Sequence, residues 1–186
     1  MKTYKKRDLP VGEIRRFLEP GPIVLVSSAH KGARNIMAMG WHMVMEFQPS
    51  MIGCFITPAN HSFDLIRQSQ ECVINIPETH LIEPVIGIGN CHGDAGSDKF
   101  AQFGLHAGKS SRVRAPLIRE CYANFECKLM DASQIKKYSL FIFKVVKAHA
   151  ARVPKYPKTI HYRGDGVFML SGKNVSHARK FQPENL

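Results

Sequence analysis

The stretch from Pro22 to Pro77 constrains the fold most strongly, because short apolar runs alternate in it with polar turns. The run from Pro22 to Ala29 leads into a polar turn at residues 30–32, and the extended segment Gly32 to Met45 follows. Two such segments joined by a short polar turn predict an antiparallel β-hairpin. This part of the chain is therefore expected to form an antiparallel sheet.

The second arm of the hairpin carries small residues where a strand usually carries bulky ones. Asn35, Ala38 and Gly40 are interleaved with large apolar residues such as Met37 and Met39. Small residues in a strand give up side-chain packing, which indicates that another backbone or a flat ligand comes close. Sheet packing and a ligand site both explain this pattern.

A predicted helix start follows this arm. The apolar strand Met51 to Thr57 ends in a polar turn, and a short amphipathic helix is predicted from Phe63 to Ser69. Ser62 falls in the first turn, where unpaired backbone N–H groups and the helix dipole favour a phosphate. An ordinary capping role for Ser62 is the competing explanation. Together, strand and helix start would hold an elongated ligand with a planar head and an anionic tail.

Further patterned segments complete the predicted architecture. Tyr122 to Ala132 and Ser139 to Ala151 alternate strongly and predict a second hairpin, and Val167 to Ser171 predicts one more short strand. A short helix is predicted from Val11 to Leu18, and a helix or turn from Leu81 to Asn90. The expected fold is mainly β with flanking helices, in which antiparallel strands close a small barrel. Residues 1–186 are expected to form a single domain.

Composition narrows the function classes. The chain has 186 residues, and none of its apolar stretches approaches the ~20 residues that a membrane helix needs. Its first residues are basic but lack the apolar region of a signal peptide, so a cytoplasmic location is expected. The net charge is +11, but the basic residues are scattered along the chain and match no nucleic-acid-binding motif. An anionic small ligand and solubility account for the charge, and no nucleic-acid partner is expected.

The five cysteines include no C-x-x-C pair. Cys54, Cys72 and Cys127 lie among apolar residues of predicted strands, which is typical of buried thiols. Cys91 precedes His92, but no further ligands stand at metal-binding spacing. The sequence therefore predicts reduced thiols and no metal site.

The order and spacing of these pieces resemble the FMN-binding split-barrel family of flavin reductases, which includes flavoredoxin. The resemblance spans roughly Leu18 to Val146 and implies a split β-barrel with FMN at the interface of a homodimer. Trp41, Met43, Met45 and Phe47 would form an apolar stripe if exposed, although core packing explains them equally well. The matching segments are PGPIVLVSS, GARNIMAMGW, FQPSMIGCFIT, NHSFDLIRQSQECVINIP, SDKFAQFGL and APLIRECYANFECKL, and the resemblance returns at HYRGDGVFMLSG.

The resemblance also implies a cofactor site. In the family, a loop against the flavin carries Ser or Thr followed by Ser-Gly and then Asp-Lys-Phe, whereas a thiol and an imidazole replace the hydroxyls here. Ser97 is predicted to cap the helix that follows this loop. In this helix, Lys99 has a natural role near the N1–C2=O edge of a reduced flavin. The implied cofactor-binding residues are Asn35, Ile36, Met37 and Ala38 along the ring, Asn60, His61 and Ser62 at the phosphate, and Cys91, His92, Gly93, Lys99 and Phe100 beside the flavin.

Two functions from different classes follow. The first is an enzyme in which FMN accepts hydride from NADH or NADPH and passes electrons to free flavin, a redox partner protein or a small acceptor, so that no side-chain acid, base or nucleophile is required. The second is a flavin- or haem-binding carrier without its own reaction with a pyridine nucleotide. The chain lacks the GxGxxG fingerprint of a Rossmann site. In the resembling family nicotinamide stacks directly on flavin, so this absence weighs little against the enzyme.

Overall fold

The computed structural model describes residues 3–14, 21–93 and 97–182. Its main element is an eight-stranded antiparallel sheet with the order β3-β2-β6-β9-β10-β5-β4 and with β1 paired to β10. The strands are β1 (Lys6–Leu9), β2 (Val24–His30), β3 (Ala33–Met39), β4 (His42–Phe47), β5 (Ser50–Phe55), β6 (Glu71–Ile76), β7 (Ala107–Gly108), β8 (Leu117–Ile118), β9 (Ala123–Asp131), β10 (Leu140–Ala151), β11 (Ile160–Gly164) and β12 (Val167–Leu170).

Short helices join and cover these strands. Two small antiparallel ladders, β7 with β8 and β11 with β12, lie outside the main sheet. Val11–Ile14, Thr79–Leu81 and Ala178–Lys180 are single 3₁₀ turns. The α-helices are α1 (His61–Ser69), α2 (Ile82–Asn90), α3 (Lys99–Gln102) and α4 (Ile135–Tyr138).

One apolar core fills the inside of the sheet. Met37 of β3 and Ile52 of β5 belong to the same buried cluster, although these strands lie near opposite ends of the strand order. The sheet is therefore curled into a barrel. Phe141 and Phe143 stack in its core with ring centroids 5.9 Å apart, and Phe63 of α1 meets Phe141 edge-on at 5.4 Å. The predicted mainly β fold with flanking helices is confirmed.

A second apolar cluster lies on the outer face of β2 and β3. Leu25 and Ile36 point to this face, because side chains alternate across a strand. Val85 and Ile88 of α2 pack on them, and Phe100 of α3 joins the same cluster. This packing places α2 alongside β3, and the candidate site lies between these two elements.

The main hairpin is confirmed as β2 and β3, with register running from Val24 opposite Met39 to His30 opposite Ala33. Its second arm, predicted to extend to Met45, ends at Met39, and the chain continues as the separate strand β4, which pairs with β5. The second hairpin is confirmed as β9 and β10. The last strand is confirmed as β12, although its partner β11 was not predicted. Within the described residues, no helix has the length and apolar composition that a membrane crossing requires.

The helix starts differ from the sequence prediction. The helix predicted from Val11 to Leu18 is a 3₁₀ turn as far as Ile14, and its remainder lies outside the described residues. α1 begins at His61 because the Asn60 side chain caps it, so the capping role considered for Ser62 is wrong. The cap predicted at Ser97 is also wrong, since the Asp98 carboxylate accepts from the backbone N–H of Phe100 at 3.1 Å.

Candidate functional site

The site lies along the outer edge of β3. Among the described strands β3 pairs only with β2, so half of its backbone N–H and C=O groups point away from the sheet. α2, the start of α1 and the segment 91–93 surround this edge and leave a cavity of about 240 Å³. We call this cavity the polar lobe. Its lining consists of Asn35, Met37, Ala38, Thr57, Ala59, Asn60, His61, Ile88, Gly89, Cys91, His92, Gly93 and Lys99.

The start of α1 forms one wall of the polar lobe. Asn60 has an extended backbone, and its side-chain oxygen accepts from the Ser62 N–H at 3.1 Å. Asn is among the best N-capping residues, because its short side chain reaches the unpaired N–H groups of the first turn. The positive end of the α1 dipole therefore faces the lobe, which favours an anion there.

Three buried side chains join β2 and β3 to this helix start. The Asn35 side-chain N–H₂ donates to the Ser62 Oγ at 2.9 Å, and the Ser28 hydroxyl of β2 lies 3.3 Å from the same oxygen. Ser28 and Ser62 are fully buried, and Asn35 is nearly so. The network fixes the Asn35 amide at the edge of the lobe. The Ser62 oxygen is thus used as an acceptor for Asn35.

The segment after α2 comes unusually close to both walls. A Cβ atom on Gly93 would lie 2.9 Å from the Asn35 side-chain oxygen and 2.9 Å from the His61 Cδ2. Real Cβ atoms do not make such contacts with fixed neighbours, so glycine is required for this close approach. Cys91 and His92 thereby line the lobe beside Asn35.

Lys99 ties this segment to α2. Its ammonium donates to the backbone carbonyls of Cys91 at 2.5 Å and Ile88 at 3.3 Å, and the side chain is buried. These carbonyls lie at the C-terminal end of α2, where a cation offsets the negative end of the helix dipole. Lys99 is thus a positive charge held in the wall of the polar lobe.

An ion pair outside the lobe fixes the start of α3. Arg34 of β3 holds the Asp98 carboxylate at 2.5 Å, and this hydrogen bond lowers the pKa of Asp98. The Arg34 guanidinium also lies 4.8 Å from the centre of the Phe100 ring. Both side chains of the pair are partly exposed, so the pair serves mainly to orient α3 against β3.

A second cavity of about 490 Å³ adjoins the first, and we call it the apolar lobe. Ala38 and Gly89 line both lobes, and we call this pair the neck. A Cβ atom on Gly89 would be in van der Waals contact with that of Ala38, at 3.9 Å. The β11–β12 ladder contributes Tyr162 and Phe168, whose rings are 5.1 Å apart. The remaining lining is mostly apolar or glycine: Ile23, Met39, Gly40, Val85, Ile86, Asn90 and Gly166. We call the two lobes together the groove.

The structure brings together nine of the twelve predicted cofactor-binding residues in the polar lobe. Ile36, Ser62 and Phe100 do not line it, because all three side chains are buried in packing or hydrogen bonds. Strand alternation alone turns Ile36 away from Asn35 and Met37. Sequence reasoning missed the lining residues Thr57, Ala59, Ile88 and Gly89 and the whole apolar lobe.

No three His, Cys, Asp or Glu side chains in the described parts of the chain converge on a point that would hold a metal ion. The groove instead offers backbone groups of β3, amide and imidazole side chains and a helix start in one lobe. Its other lobe offers apolar and aromatic walls. Such a site suits an elongated ligand with an anionic end and a flat apolar end.

Comparison with known proteins gives a consistent result. Residues 15–167 match the family model described as "Flavin reductase like domain". The chain is 31% identical over 175 residues to the uncharacterized protein YddH of Escherichia coli, covering 87% of this chain and 92% of YddH.

Two solved structures show the same fold. An FMN-binding domain of a flavin reductases-like enzyme from Shewanella baltica superposes with a TM-score of 0.85 at 23% identity, covering 95% of this chain and 99% of that one. Flavoredoxin of Desulfovibrio vulgaris gives 0.77 at 22% identity and covers 86% and 91%. The predicted split barrel of the FMN-binding type is confirmed.

Proposed function

Because the chain belongs to the flavin reductase-like, FMN-binding split-barrel family, we propose that it is an NAD(P)H-dependent flavin oxidoreductase that acts as a single domain. The observation that carries the proposal is the groove, whose two lobes differ in chemistry as the two ends of FMN do. FMN, when bound, would accept a hydride from NADH or NADPH and pass the electrons on. The residues of the chain supply binding, orientation and the exclusion of water.

The polar lobe would hold the phosphate end of FMN. Asn60 and His61 stand at the start of α1, where N–H groups and the helix dipole attract an anion. His92 lines the same lobe, and Lys99 supplies a fixed positive charge in its wall. FMN is preferred to FAD because the groove residues account for a monophosphate and no adenine site was identified from the sequence.

The apolar lobe and the neck would hold the flavin ring. The sequence predicts the ring along Asn35 to Ala38, and we extend this position through the neck to Gly40. Ala38, Gly40 and Gly89 are small enough to let a flat ring lie against the backbone. The open edge of β3 would offer N–H and C=O groups to the polar rim of the ring. Phe168 and Tyr162 would shield its apolar end from water.

We further propose a homodimer. Trp41, Met43, Met45 and Phe47 of the β4 region expose 71%, 52%, 41% and 47% of their surface, which leaves an apolar stripe on the monomer. Core packing does not account for this stripe, and adjacent exposed apolar side chains are typical of an interaction surface. We propose a cytoplasmic location, which the five free thiols support.

The test is spectroscopic. The purified protein is mixed with FMN, and binding is followed by the quenching of flavin fluorescence. Anaerobic addition of NADH or NADPH should then bleach the visible flavin absorption of the complex. A complex that binds FMN but is bleached by dithionite and by neither nicotinamide would identify an electron-transfer module of the flavoredoxin kind. Absence of FMN binding would reject both functions.

A further inference from the structure

A second site lies away from the groove, between the segment that leads into β1 and the β7–β8 ladder. It is a cavity of about 640 Å³ that shares no lining residue with either lobe of the groove. A volume of this size is in the usual range for small-molecule sites. We call it the basic cavity, and the residues that matter in its lining are Tyr4, Lys6, His106, Lys109, Leu117 and Arg119.

The basic cavity collects positive charge from separate elements of the chain. Lys6 lies on β1, Lys109 directly follows β7, and Arg119 directly follows β8. No Asp or Glu is among the lining residues. Like charges brought together by the fold repel each other, and an anion placed between them would relieve this repulsion.

The carboxylates near the basic cavity accept hydrogen bonds from groups other than its lysine and arginine side chains. Glu120 is fully buried and accepts from the His106 backbone N–H at 3.1 Å and from its Nδ1 at 2.7 Å. Glu78 accepts from the Tyr4 hydroxyl and from the Lys158 N–H. Glu120 still acts on Lys6 through its charge, but neither carboxylate lines the basic cavity, so neither takes the place of a ligand there.

Lys6 is held in a fixed position inside the cavity. Its ammonium donates to the carbonyl of Arg119 at 2.9 Å and to that of Ile118 at 3.4 Å, so one of its three N–H donors remains for a ligand. Burial lowers the pKa of Lys6 to about 8, although the neighbouring Cys121 and Glu120 act in the opposite direction; the Arg119 charge lowers the pKa further. A bound anion would favour the charged ammonium and raise this pKa again.

The remaining wall is aromatic and apolar. The Tyr4 ring meets the Tyr122 ring edge-on at 5.8 Å and lies 6.3 Å from His80, so it is fixed in orientation. Leu117 of β8 adds an apolar side chain to the lining of the cavity. An inorganic anion would use only the cations, whereas a ligand with a flat organic body would use both walls.

We propose that the basic cavity binds a phosphate ester of the nucleoside diphosphate class, with the phosphates at Lys6, Lys109 and Arg119 and the base towards Tyr4 and Leu117. This site is independent of the proposed flavin function. Several positive charges favour a diphosphate over a monocarboxylate, because each charge-assisted hydrogen bond adds to the binding. Lys109 and Arg119 are exposed, so their replacement spares the fold.

The test is calorimetric titration of the full-length protein with ADP, with adenosine as the ligand that lacks phosphate. We expect ADP to bind at least about 10-fold more tightly than adenosine, and the double variant Lys109→Met with Arg119→Met to weaken ADP binding by about 10-fold or more. The matched control is Lys128→Met with Lys136→Met, which removes the same charge from exposed positions outside the cavity. It should change ADP affinity by less than about 2-fold.

Three results would overturn the proposal: no heat of ADP binding at low salt, equal weakening in both double variants, or loss of ADP binding when the protein is saturated with FMN. Equal weakening would mean that only the overall charge attracts ADP. Competition by FMN would mean that ADP occupies the groove. Because the titration is also run without FMN, its outcome is read independently of whether flavin binds.

Discussion

Strands β3 and β4 follow each other in the chain with only Gly40 and Trp41 between them, and each forms one end of the strand order. The free edge of β3 is covered by α2 and by the segment after it, with a groove left between them. The region of β4 exposes large apolar side chains instead. Within the described residues, one edge is therefore covered by the chain around a cavity, and the other, which we call the bare edge, has no strand partner beyond β5.

Side-chain size accounts for the difference. On β3 and α2, the residues of the neck are small, and a Cβ atom on Gly89 would already touch that of Ala38 at 3.9 Å. On β4, Met43 and Met45 lie over Gly53 of β5, where an added Cβ atom would be 3.0 Å from the Met45 sulfur and 3.3 Å from Met43. Exposed sheet edges invite pairing with another chain, so an edge that persists in a folded protein needs a cover or a partner. We infer a ligand at the first edge and a second copy at the second.

The largest effect is expected from Ala38→Trp. An indole at the neck would fill the connection between the two lobes, and FMN affinity should fall by about 100-fold or more, as measured by fluorescence titration. The control is Met130→Trp, which places the same ring on an exposed strand position outside the groove. Unchanged FMN affinity in a folded Ala38→Trp variant would place the ring elsewhere.

Local patterns sufficed for most of the fold. The strands of the main hairpin and of the β9–β10 hairpin were predicted because alternation and turn residues report directly on short-range structure. The start of α1 was misassigned because Asn60 and Ser62 are both good capping types, and only the backbone decides between them. β11 was missed because its sequence, IHYRG, carries little apolar alternation.

The site was predictable only in part, for a related reason. Asn35 and Met37 were identified from the β3 pattern together with the family resemblance, and the residues at the start of α1 from the helix signal together with the same resemblance. Ile88 and Gly89 reach the groove only because α2 packs along β3, which is a contact between distant parts of the chain that no local pattern encodes. Ile36 could have been excluded beforehand, since adjacent residues of a strand point to opposite faces.

The bare edge is tested by charging it. Met43→Lys combined with Met45→Lys places ammonium groups in the proposed subunit interface, where each would lose hydration on association. The dissociation constant of the dimer should rise by at least about 30-fold, as measured by sedimentation velocity. Val153→Lys with Val167→Lys charges two other exposed apolar positions and should leave the association unchanged. If the parent protein is monomeric at all concentrations, the β4 stripe has another partner.

A smaller effect is expected from Asn60→Asp. Aspartate caps a helix as well as asparagine does, so α1 should keep its start, but the new carboxylate would stand in the lobe proposed for the phosphate. FMN affinity should fall by about 10- to 30-fold through charge repulsion. Riboflavin, which lacks the phosphate, should bind the variant and the parent equally well. Equal losses for both flavins would mean that the phosphate lies away from Asn60.

The smallest effect is expected from Ser62→Ala, although the helix start together with the family resemblance predicts a direct phosphate contact. In the structure the buried Ser62 hydroxyl accepts from the Asn35 amide at 2.9 Å, so its loss leaves a buried donor unpaired. This should lower the free energy of unfolding by about 1–3 kcal/mol. FMN affinity should fall by only about 3- to 10-fold, because the amide would lose its fixed position at the edge of the groove.

Ser69→Ala is the matched control, because Ser69 is a buried serine at the other end of α1 whose hydroxyl donates to the Glu71 carbonyl at 3.1 Å. It should lower stability in thermal denaturation without changing FMN affinity. A loss above about 100-fold in Ser62→Ala would restore the direct contact with phosphate. Equal FMN affinity in Ser62→Ala and Ser69→Ala would mean that the orientation of Asn35 does not matter to the ligand. In that case the open backbone edge of β3 would hold the flavin without help from its polar side chain.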